Sequence, residues 1–390
     1  MLAIKLAIRN LLGAGLRTWL NVFVLSLSYV MIIYMNGMLD GWNNQAKSDM
    51  REWETGGSQY WHSDFNPYDA FTWEDSHAKM PGEFSSGIKS GEIAPVLITS
   101  ASIYPDGRVQ SIILKGIPTD QKVIKLPTSS LNGEREEIPA IIGKRMAEKN
   151  RLEKGDLVTM RWRDAYGTFD ARDVVITDIF NCNVPSIDAG QFWIPLEILQ
   201  EMLQLDNEAT IIISSSEEDA EILNSDFVYK DFEFLTEEVT KIIKTKSIGT
   251  SVFYVILLLL AMLAIFDTQI LSIFRRQREI GTQIALGMTR GQVVRLFTIE
   301  GAMHAVLAAG LGAVYGIPLF INQANNGIPM PEGTDDMGLA IADTIIPVYS
   351  IGLIVGTVFF VMIAATIVSY IPARKISKMK PTDAIRGKVQ

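Results

Sequence analysis

The chain has 390 residues, of which 48% are hydrophobic and 20% are charged, and its net charge is −9. This length predicts two or three domains, and the positive mean hydropathy of +0.19 indicates that the apolar residues are concentrated in blocks. No basic patch with interleaved aromatic residues occurs, which argues against a nucleic-acid-binding protein. The single cysteine, Cys182, excludes an internal disulfide, and we expect it to be a buried free thiol.

Charge divides the chain into two parts. Residues 42–246 contain 35 acidic and 21 basic residues, a net charge of −14, whereas the remaining 9 acidic and 14 basic residues give +5. We interpret the acidic part as a separate soluble domain and the basic residues elsewhere as the flanks of membrane spans.

The N-terminal segment predicts a membrane anchor. Residues 1–17 place leucines opposite Lys5, Arg9 and Arg17, which is typical of an interfacial amphipathic helix on the cytoplasmic side. Residues 18–41 have the length and apolar composition of a first transmembrane helix. Because this apolar run is longer than that of a cleavable signal peptide and no small-residue cleavage site follows it, we expect a signal anchor with its N-terminus inside.

The segment 42–246 is predicted to be a mixed α/β domain outside the cytoplasm. Its short β-rich runs are punctuated by Gly, Pro and Asp, and helices are predicted at residues 143–149 and 196–203. The sequence Pro-Asp-Gly at 105–107 predicts a hairpin turn, since Pro sets φ and Gly accepts a positive φ. The predicted strands cover residues 94–100, 109–114, 157–162, 173–179 and 210–214.

Residues 53–84 are unusually aromatic. The aromatic side chains either fill the core of a subdomain or form a surface that binds an acyl chain or a partner. His62 and His77 lie fifteen positions apart, without a nearby cysteine or a helical HxxxH spacing, so no metal site is predicted.

Three further apolar segments have membrane-spanning length, residues 250–274, 298–321 and 347–371. Small residues at steps of four along the last two let helices approach closely, either within one subunit or across a dimer. These helix-packing residues are Gly301, Ala305, Ala309, Gly312 and Gly316 in the third span, and Gly352 and Gly356 in the fourth. Within the spans, Asp267 is interpreted as a snorkelled or arginine-paired carboxylate and His304 as a satisfied packing residue.

The segments between and after these spans differ in charge. The loop 322–346 contains four acidic residues and no basic residue, which predicts a periplasmic position, whereas the tail 372–390 is basic and is predicted to be cytoplasmic. The predicted layout is therefore an α-helical membrane protein with four transmembrane helices and a large mixed α/β extracytoplasmic domain inserted between helices 1 and 2.

Residues 275–297, which we call the coupling segment, are the most distinctive part of the chain. They are rich in arginine, and a basic loop this short between two spans is expected to be cytoplasmic. Apolar residues recur at helical spacing on both sides of Gly287, with Ile280, Ile284 and Leu286 on the first side. This pattern predicts an amphipathic helix, a break, and a second helix that enters the membrane. The same composition is also typical of an ordinary basic juxtamembrane helix that binds anionic lipid, so this alternative stays open.

The residues Arg278-Glu279-Ile280-Gly281, Ala285-Leu286-Gly287-Met288-Thr289-Arg290 and Glu300-Gly301 resemble the coupling segment of FtsX-type ABC permeases. That resemblance implies a docking surface for an ATPase subunit, formed by Arg276, Arg278, Glu279, Gly281, Gly287 and Arg290. The tail beginning Pro372-Ala373-Arg374 is also similar to the family's C-terminal signature. Phrases at 138–147 and 152–159 are similar to the lipoprotein-release branch, LolC/LolE-like permeases, within the superfamily that includes MacB.

The resemblance implies a permease subunit of an ATP-driven transporter in the bacterial inner membrane, with both termini cytoplasmic. No GxxxxGKS or GxxxxGKT sequence occurs in the 390 residues, so this chain is not expected to be an enzyme or to bind a cofactor directly. ATP-Mg is expected on a partner ABC ATPase dimer, and a second copy or a related permease is expected to complete the transporter.

The implied substrate is a lipoprotein extracted from the membrane, or another amphiphile. In LolC-like members a long hairpin grasps a periplasmic carrier, but the corresponding segment here, 163–172, is little more than a turn, so we do not expect carrier hand-off through it. Two alternatives stay open: an FtsX-like signalling subunit that activates a periplasmic partner, and a MacB-like efflux permease.

Overall fold

The computed structural model describes residues 16–133, 136–218, 226–330 and 344–377. Most of the predicted helix 1–17, of the loop 322–346 and of the tail 372–390 lies outside the described residues. The chain forms two compact units. The helical unit comprises the described residues up to Trp42, Ile243–Ile328 and those from Ile345 onward, and the strand-rich unit comprises Asn43–Ile242 and Pro329–Thr344.

The described residues form ten α-helices and thirteen strands. The helices are α1 (Leu16–Met50), α2 (Ser85–Ser90), α3 (Lys144–Asn150), α4 (Pro185–Asp188), α5 (Leu196–Leu203), α6 (Phe232–Leu235), α7 (Glu237–Arg275), α8 (Gln277–Ala285), α9 (Arg290–Asn326) and α10 (Ile351–Ser377). The strands are β1 (Ser58–His62), β2 (Ala78–Lys79), β3 (Ile93–Ile103), β4 (Gln110–Ile117), β5 (Ile138–Gly143), β6 (Leu157–Arg163), β7 (Phe169–Phe180), β8 (Gln191–Pro195), β9 (Glu208–Ala209), β10 (Ile211–Ser214), β11 (Phe227–Lys230), β12 (Ile328–Pro329) and β13 (Thr344–Ile345).

Four helices, α1, α7, α9 and α10, are long and apolar enough to cross a membrane. The first three helices extend beyond the predicted spans into polar sequence. They can do so because the backbone hydrogen bonds of a helix are formed within the helix itself. The fourth begins later than predicted. Residues 347–350 are not helical, and α10 starts at Ile351, where the Ser350 hydroxyl accepts a hydrogen bond from Leu353 N at 3.1 Å and so caps the helix.

The strand-rich unit is organised by β3, whose two halves pair with different neighbours. Residues 93–96 pair with β10, while residues 101–103 pair with β6. The strands β3, β4, β8, β5, β7 and β6 follow one another in the sheet, so the last pairing closes them into a six-stranded barrel. Strands β10, β1 and β11 continue the sheet from the first half of β3, and β11 is its edge.

Side chains alternate between two cores along the barrel strands, as a period of two requires. On β3, Leu97, Ala101 and Ile103 belong to one core, and Val96 and Ile98 belong to the other. The first core also contains the buried residues of α5, and Trp162 donates its indole N–H to Met202 O at 3.1 Å. The mixed α/β prediction is therefore met only in part, because this unit is made mainly of strands and its helices are short.

The predicted strands and helices of this unit are present, with different limits. Strand β7 begins at Phe169 rather than 173, so residues 163–172 are largely a paired hairpin closed by the turn 164–168. The hairpin at 105–107 places both Asp106 and Gly107 at positive φ. Strands β1, β5, β8 and β11 of the large sheet were not predicted as separate elements.

The aromatic stretch mostly fills cores, but not completely. Tyr60 and Phe84 are buried and their rings lie 5.0 Å apart, while Tyr68 and Phe71 are 76% and 93% exposed. The two histidines make different contacts. His77 pairs with Glu208, whereas His62 packs edge-on against Phe227. Cys182 is buried, as predicted, and burial raises the pKa of its thiol to about 12.

Lys115 lies in the core of the strand-rich unit. It is 8% exposed, and its Nζ is 4.9 Å from the ring centroid of Trp193, its neighbour on β8. Burial lowers the pKa of the Lys115 ammonium, and Glu54 partly opposes this effect. At a pH between the lowered folded pKa and the ordinary lysine value, the unfolded chain binds more protons, so this residue's contribution to stability becomes more favourable as pH rises.

We therefore expect Lys115→Met to stabilise the unit at neutral pH, by about 1 to 4 kcal/mol, because it removes a buried charge while keeping a similar volume. Thermal unfolding at neutral pH and at about pH 10, near the ordinary lysine pKa, measures the effect. The gain should shrink at the higher pH. Lys122→Met changes an exposed lysine and should have little effect. A less stable Lys115→Met variant at neutral pH would contradict this expectation.

Candidate coupling site

The coupling segment folds as a helix, a break and a second helix, as its glycine spacing predicts. Helix α7 ends at Arg275, and Arg276 leaves the helical conformation before α8 begins. Helix α8 ends at Ala285, and Gly287 has a φ of +105°, a conformation that favours glycine. Thr289 then starts α9 with a capping box, in which its side chain and that of Gln292 each accept a hydrogen bond from the other residue's backbone N–H.

One face of α8 is buried in the helical unit. Ile280 is 5% exposed and belongs to a small core with Ile273, Val293, Phe297 and Ala373. Ile284 packs at the margin of this core, and Gly281 is buried. The core therefore joins α8 to the ends of α7, α9 and α10 in one packed cluster.

The opposite face of the coupling segment is exposed and carries the predicted docking residues Arg278, Glu279 and Arg290. Leu286 is 83% exposed, so its assignment to the apolar face of the first helix is wrong. Because α8 ends one residue earlier, Leu286 does not continue the helical face. Arg278, Arg290, Glu279 and Leu286 together offer two cations, one anion and one apolar group to a partner protein.

Arg276 lies between the exposed and buried faces. Its Nη1 is 3.1 Å from Glu300 Oε2 on α9, and its Nε is 3.3 Å from Glu279 Oε2 on α8. The guanidinium also lies 5.4 Å from the ring centroid of Phe297. Glu300 is 6% exposed, whereas the Glu279 side chain is 66% exposed. Arg276 thus links an exposed residue of the coupling segment to a buried residue of α9.

The pairing of Arg276 with Glu300 joins residues 24 positions apart. Both residues lie in a charged region of the sequence, but their spacing did not predict which carboxylate would pair with Arg276. The only signal was the intramembrane position of Glu300 at the start of the third apolar run. A buried carboxylate in such a position is expected to have a cationic partner.

Further polar groups lie near this ion pair inside the helical unit. His304 is 2% exposed, and its Nδ1 lies 3.0 Å from Glu300 O, while its Nε2 has no hydrogen-bond partner among the described residues. His304 was predicted to be a satisfied packing residue, and among the described residues this holds for its Nδ1 but not for its Nε2. Gln269 is 1% exposed, and its Oε1 is also without a partner in the described part of the chain. Asp267 is exposed on α7.

The predicted small residues of α9 lie where helices approach each other. A Cβ at Gly301 would overlap Ser369 of α10, and a Cβ at Gly316 would come within 2.9 Å of Val30 Cγ2 on α1. Gly312 faces Ser26 on α1, while Ala305 and Ala309 pack in the core between the helices.

Gly352 and Gly356 differ from the small residues of α9. Both are exposed, and added Cβ atoms would meet nothing closer than 4.0 Å. They make no close helix contact within the described chain, so their packing role stays a prediction for contacts with another molecule.

Gly301→Ala is expected to destabilise the helical unit by about 1 to 3 kcal/mol, because the added methyl group overpacks the contact between α9 and α10. Gly356→Ala is the matched control, since it adds the same methyl group on an exposed helical face. It should leave the unit unchanged or stabilise it slightly through helix propensity. Thermal unfolding in detergent compares the two variants, and equal midpoints would contradict the close packing at Gly301.

Comparison with known proteins supports the membrane part of this description. Residues 251–381 match the family described as FtsX-like permease C-terminal. A MacB macrolide export ATP-binding/permease protein of Rhodopseudomonas palustris is 24% identical over 48% of this chain and 26% of its own length. An ABC transporter permease of Methanocaldococcus jannaschii is 29% identical over 44% of this chain and 42% of its own length.

Two further matches involve YknZ. The ABC transporter permease YknZ of Bacillus subtilis is 28% identical over 33% of this chain and 28% of its own length. The crystal structure of an extracellular domain of a YknZ transporter from Gram-positive bacteria covers 41% of this chain and 83% of that domain, with 17% identity and a TM-score of 0.26.

The chain spans less than half of the length of the curated relatives described above. The family match covers α9 and α10 completely and all but the first part of α7, so it includes the whole coupling segment. The names of these relatives agree on a permease but do not select the lipoprotein-release branch. The membrane part of this chain is therefore similar to ABC transporter permeases of the FtsX/MacB superfamily, and the chain has four helices long enough to cross a membrane.

Proposed function

We propose that the chain is the permease subunit of an ATP-driven transporter in the bacterial inner membrane, and that it extracts lipoproteins or moves another amphiphile. ATP-Mg binds and is hydrolysed on a separate ABC ATPase dimer, and this chain binds no cofactor itself. Both termini are cytoplasmic, the strand-rich unit is periplasmic, and a second copy or a related permease completes the transporter.

The observation that carries this proposal is the two-sided coupling segment. Arg278, Glu279 and Arg290 are exposed, while the other face is packed against α7, α9 and α10. Arg276 connects Glu279 to Glu300, so a displacement of the docking face acts on α9 through an ion pair as well as through packing. Binding of an ATPase that closes on ATP would therefore move the membrane helices as a group.

A MacB-like efflux role is the second candidate. It is favoured by the matches to proteins named as macrolide export proteins, which reach 48% of this chain. The FtsX-like signalling role is weaker, because the strand-rich unit contains a nine-stranded sheet, six of whose strands close into a barrel, which is more structure than a simple partner-binding segment needs.

Purification of the tagged chain from its native membranes, followed by mass spectrometry, tests these proposals. We expect a small ABC ATPase and triacylated lipoproteins to copurify. A periplasmic adaptor with no lipoprotein would support efflux, and a wall hydrolase with the ATPase would support signalling. Recovery of no ATPase at all would contradict the permease proposal.

A further inference from the structure

A cleft of about 490 Å³ opens in the strand-rich unit beside the edge strand β11. Its walls come from β1 and the loop that follows it, from β11, from α6 and from the first turn of α7. The volume lies within the range of small-molecule sites in proteins. The residues of this cleft come from segments more than 150 positions apart, so their local sequence does not predict it.

Aromatic side chains form the apolar wall of the cleft. The Trp61 ring meets Phe65 edge-on at 5.4 Å and Phe234 edge-on at 5.9 Å. Phe234 remains 47% exposed and Tyr68 remains 76% exposed. Exposed aromatic groups that share a concave surface are typical of a binding site rather than of an isolated surface residue.

Lys230 places a cation against this wall. Its Nζ is 4.4 Å from the ring centroid of Phe234 and 5.9 Å from that of Trp61. No carboxylate lies within ion-pair distance of Lys230 in the part of the chain that the structure describes. A cation in an aromatic cleft without a carboxylate partner attracts an anion, and the partial exclusion of water strengthens that attraction.

The other charged groups of the cleft are already engaged. Glu237 pairs with Lys241 at 2.8 Å, and the Tyr68 hydroxyl donates a hydrogen bond to Glu238. This bond is the main cause that raises the pKa of Tyr68 to about 12. Of the two lysines that line the cleft, Lys230 is therefore the one without an ion-pair partner among the described residues.

We propose that this cleft binds an amphiphilic anion, a molecule with an apolar chain or ring and a carboxylate or phosphate group. The apolar body packs on Trp61, Phe65 and Phe234, and the anionic group pairs with Lys230. The inference rests on the proposed function, in which the chain moves an amphiphile, and it adds that this amphiphile is an anion. A neutral amphiphile lacks the ion pair with Lys230.

Photolabelling of the full chain in nanodiscs of zwitterionic lipid tests the site. The anionic probe is a palmitate analogue with a diazirine on its chain, and the neutral probe is the corresponding alcohol. After irradiation and proteolysis, we expect the anionic probe to label peptides from 58–68 and 227–241 about tenfold more than the alcohol, as one ion pair of about 1.4 kcal/mol provides. Competition by unlabelled palmitate and by dodecyl phosphate then identifies the preferred anionic group.

Lys230→Met should reduce labelling by the anionic probe to the level of the alcohol, and Phe234→Ala should reduce labelling by both probes. Lys89→Met is the control, because it removes an exposed lysine outside the cleft. Equal labelling by the two probes would overturn the proposal, as would labelling that Lys230→Met leaves unchanged. None of these variants should alter recovery of the ATPase, so failure of the cleft is distinguishable from failure of the permease assignment.

Discussion

Glu279→Ala combined with Arg290→Ala is expected to uncouple ATP hydrolysis from transport. Both side chains lie on the exposed face of the coupling segment, so their removal leaves the packed core beneath them intact. The loss of two charged contacts at a protein interface weakens binding, so the amount of ATPase that copurifies with the chain should fall at least about tenfold. Copurification, and substrate transport in a reconstituted complex, measure the two effects.

Arg295→Ala is the matched control for this double variant. Arg295 is also an exposed arginine of α9, but it lies five positions after Arg290 and therefore on a different side of the helix. Membrane insertion should be the same in all variants, and thermal unfolding should change little, because the pair between Glu279 and Arg276 that the double variant loses is largely exposed. If the double variant recovers the ATPase and transports at the wild-type level, the docking assignment is wrong.

Glu300→Ala is expected to destabilise the helical unit. Glu300 is 6% exposed, and its removal leaves the exposed Glu279 as the one ion-pair partner of Arg276 among the described residues. Loss of one partner from a buried ion pair costs about 3 to 5 kcal/mol, and we expect the lower end because Arg276 remains partly exposed. Thermal unfolding in detergent measures this loss.

A double-mutant cycle separates the ion pair from the effect of removing a side chain. Arg276→Met combined with Glu300→Ala removes both charges, so it should be more stable than Glu300→Ala alone. The single variant should also weaken the coupling of ATPase activity to transport, because the link from α8 to α9 is broken. Additive effects in the cycle would show that the two residues do not interact.

Local sequence predicts the membrane helices and the break between α8 and α9 because both depend on properties of short segments. An apolar run of about 20 residues is sufficient to cross the hydrocarbon core wherever it occurs in a chain. Gly287 ends a helix because glycine accepts its positive φ without strain. The exposed positions of Arg278, Glu279 and Arg290 also follow from helical spacing once the apolar face is known.

Other features depend on contacts between distant segments and could not be derived locally. The barrel closes because the second half of β3 pairs with β6, more than 50 residues later, and neither strand's sequence specifies that partner. Gly301 is packed and Gly356 is exposed although both belong to similar small-residue patterns, since the neighbouring helix decides which of them is covered. Arg276 likewise finds Glu300, and Lys230 joins Trp61 in a cleft, only when the fold brings their segments together. Periodicity defines which face of an element is apolar, whereas long-range packing selects the partner that each face meets.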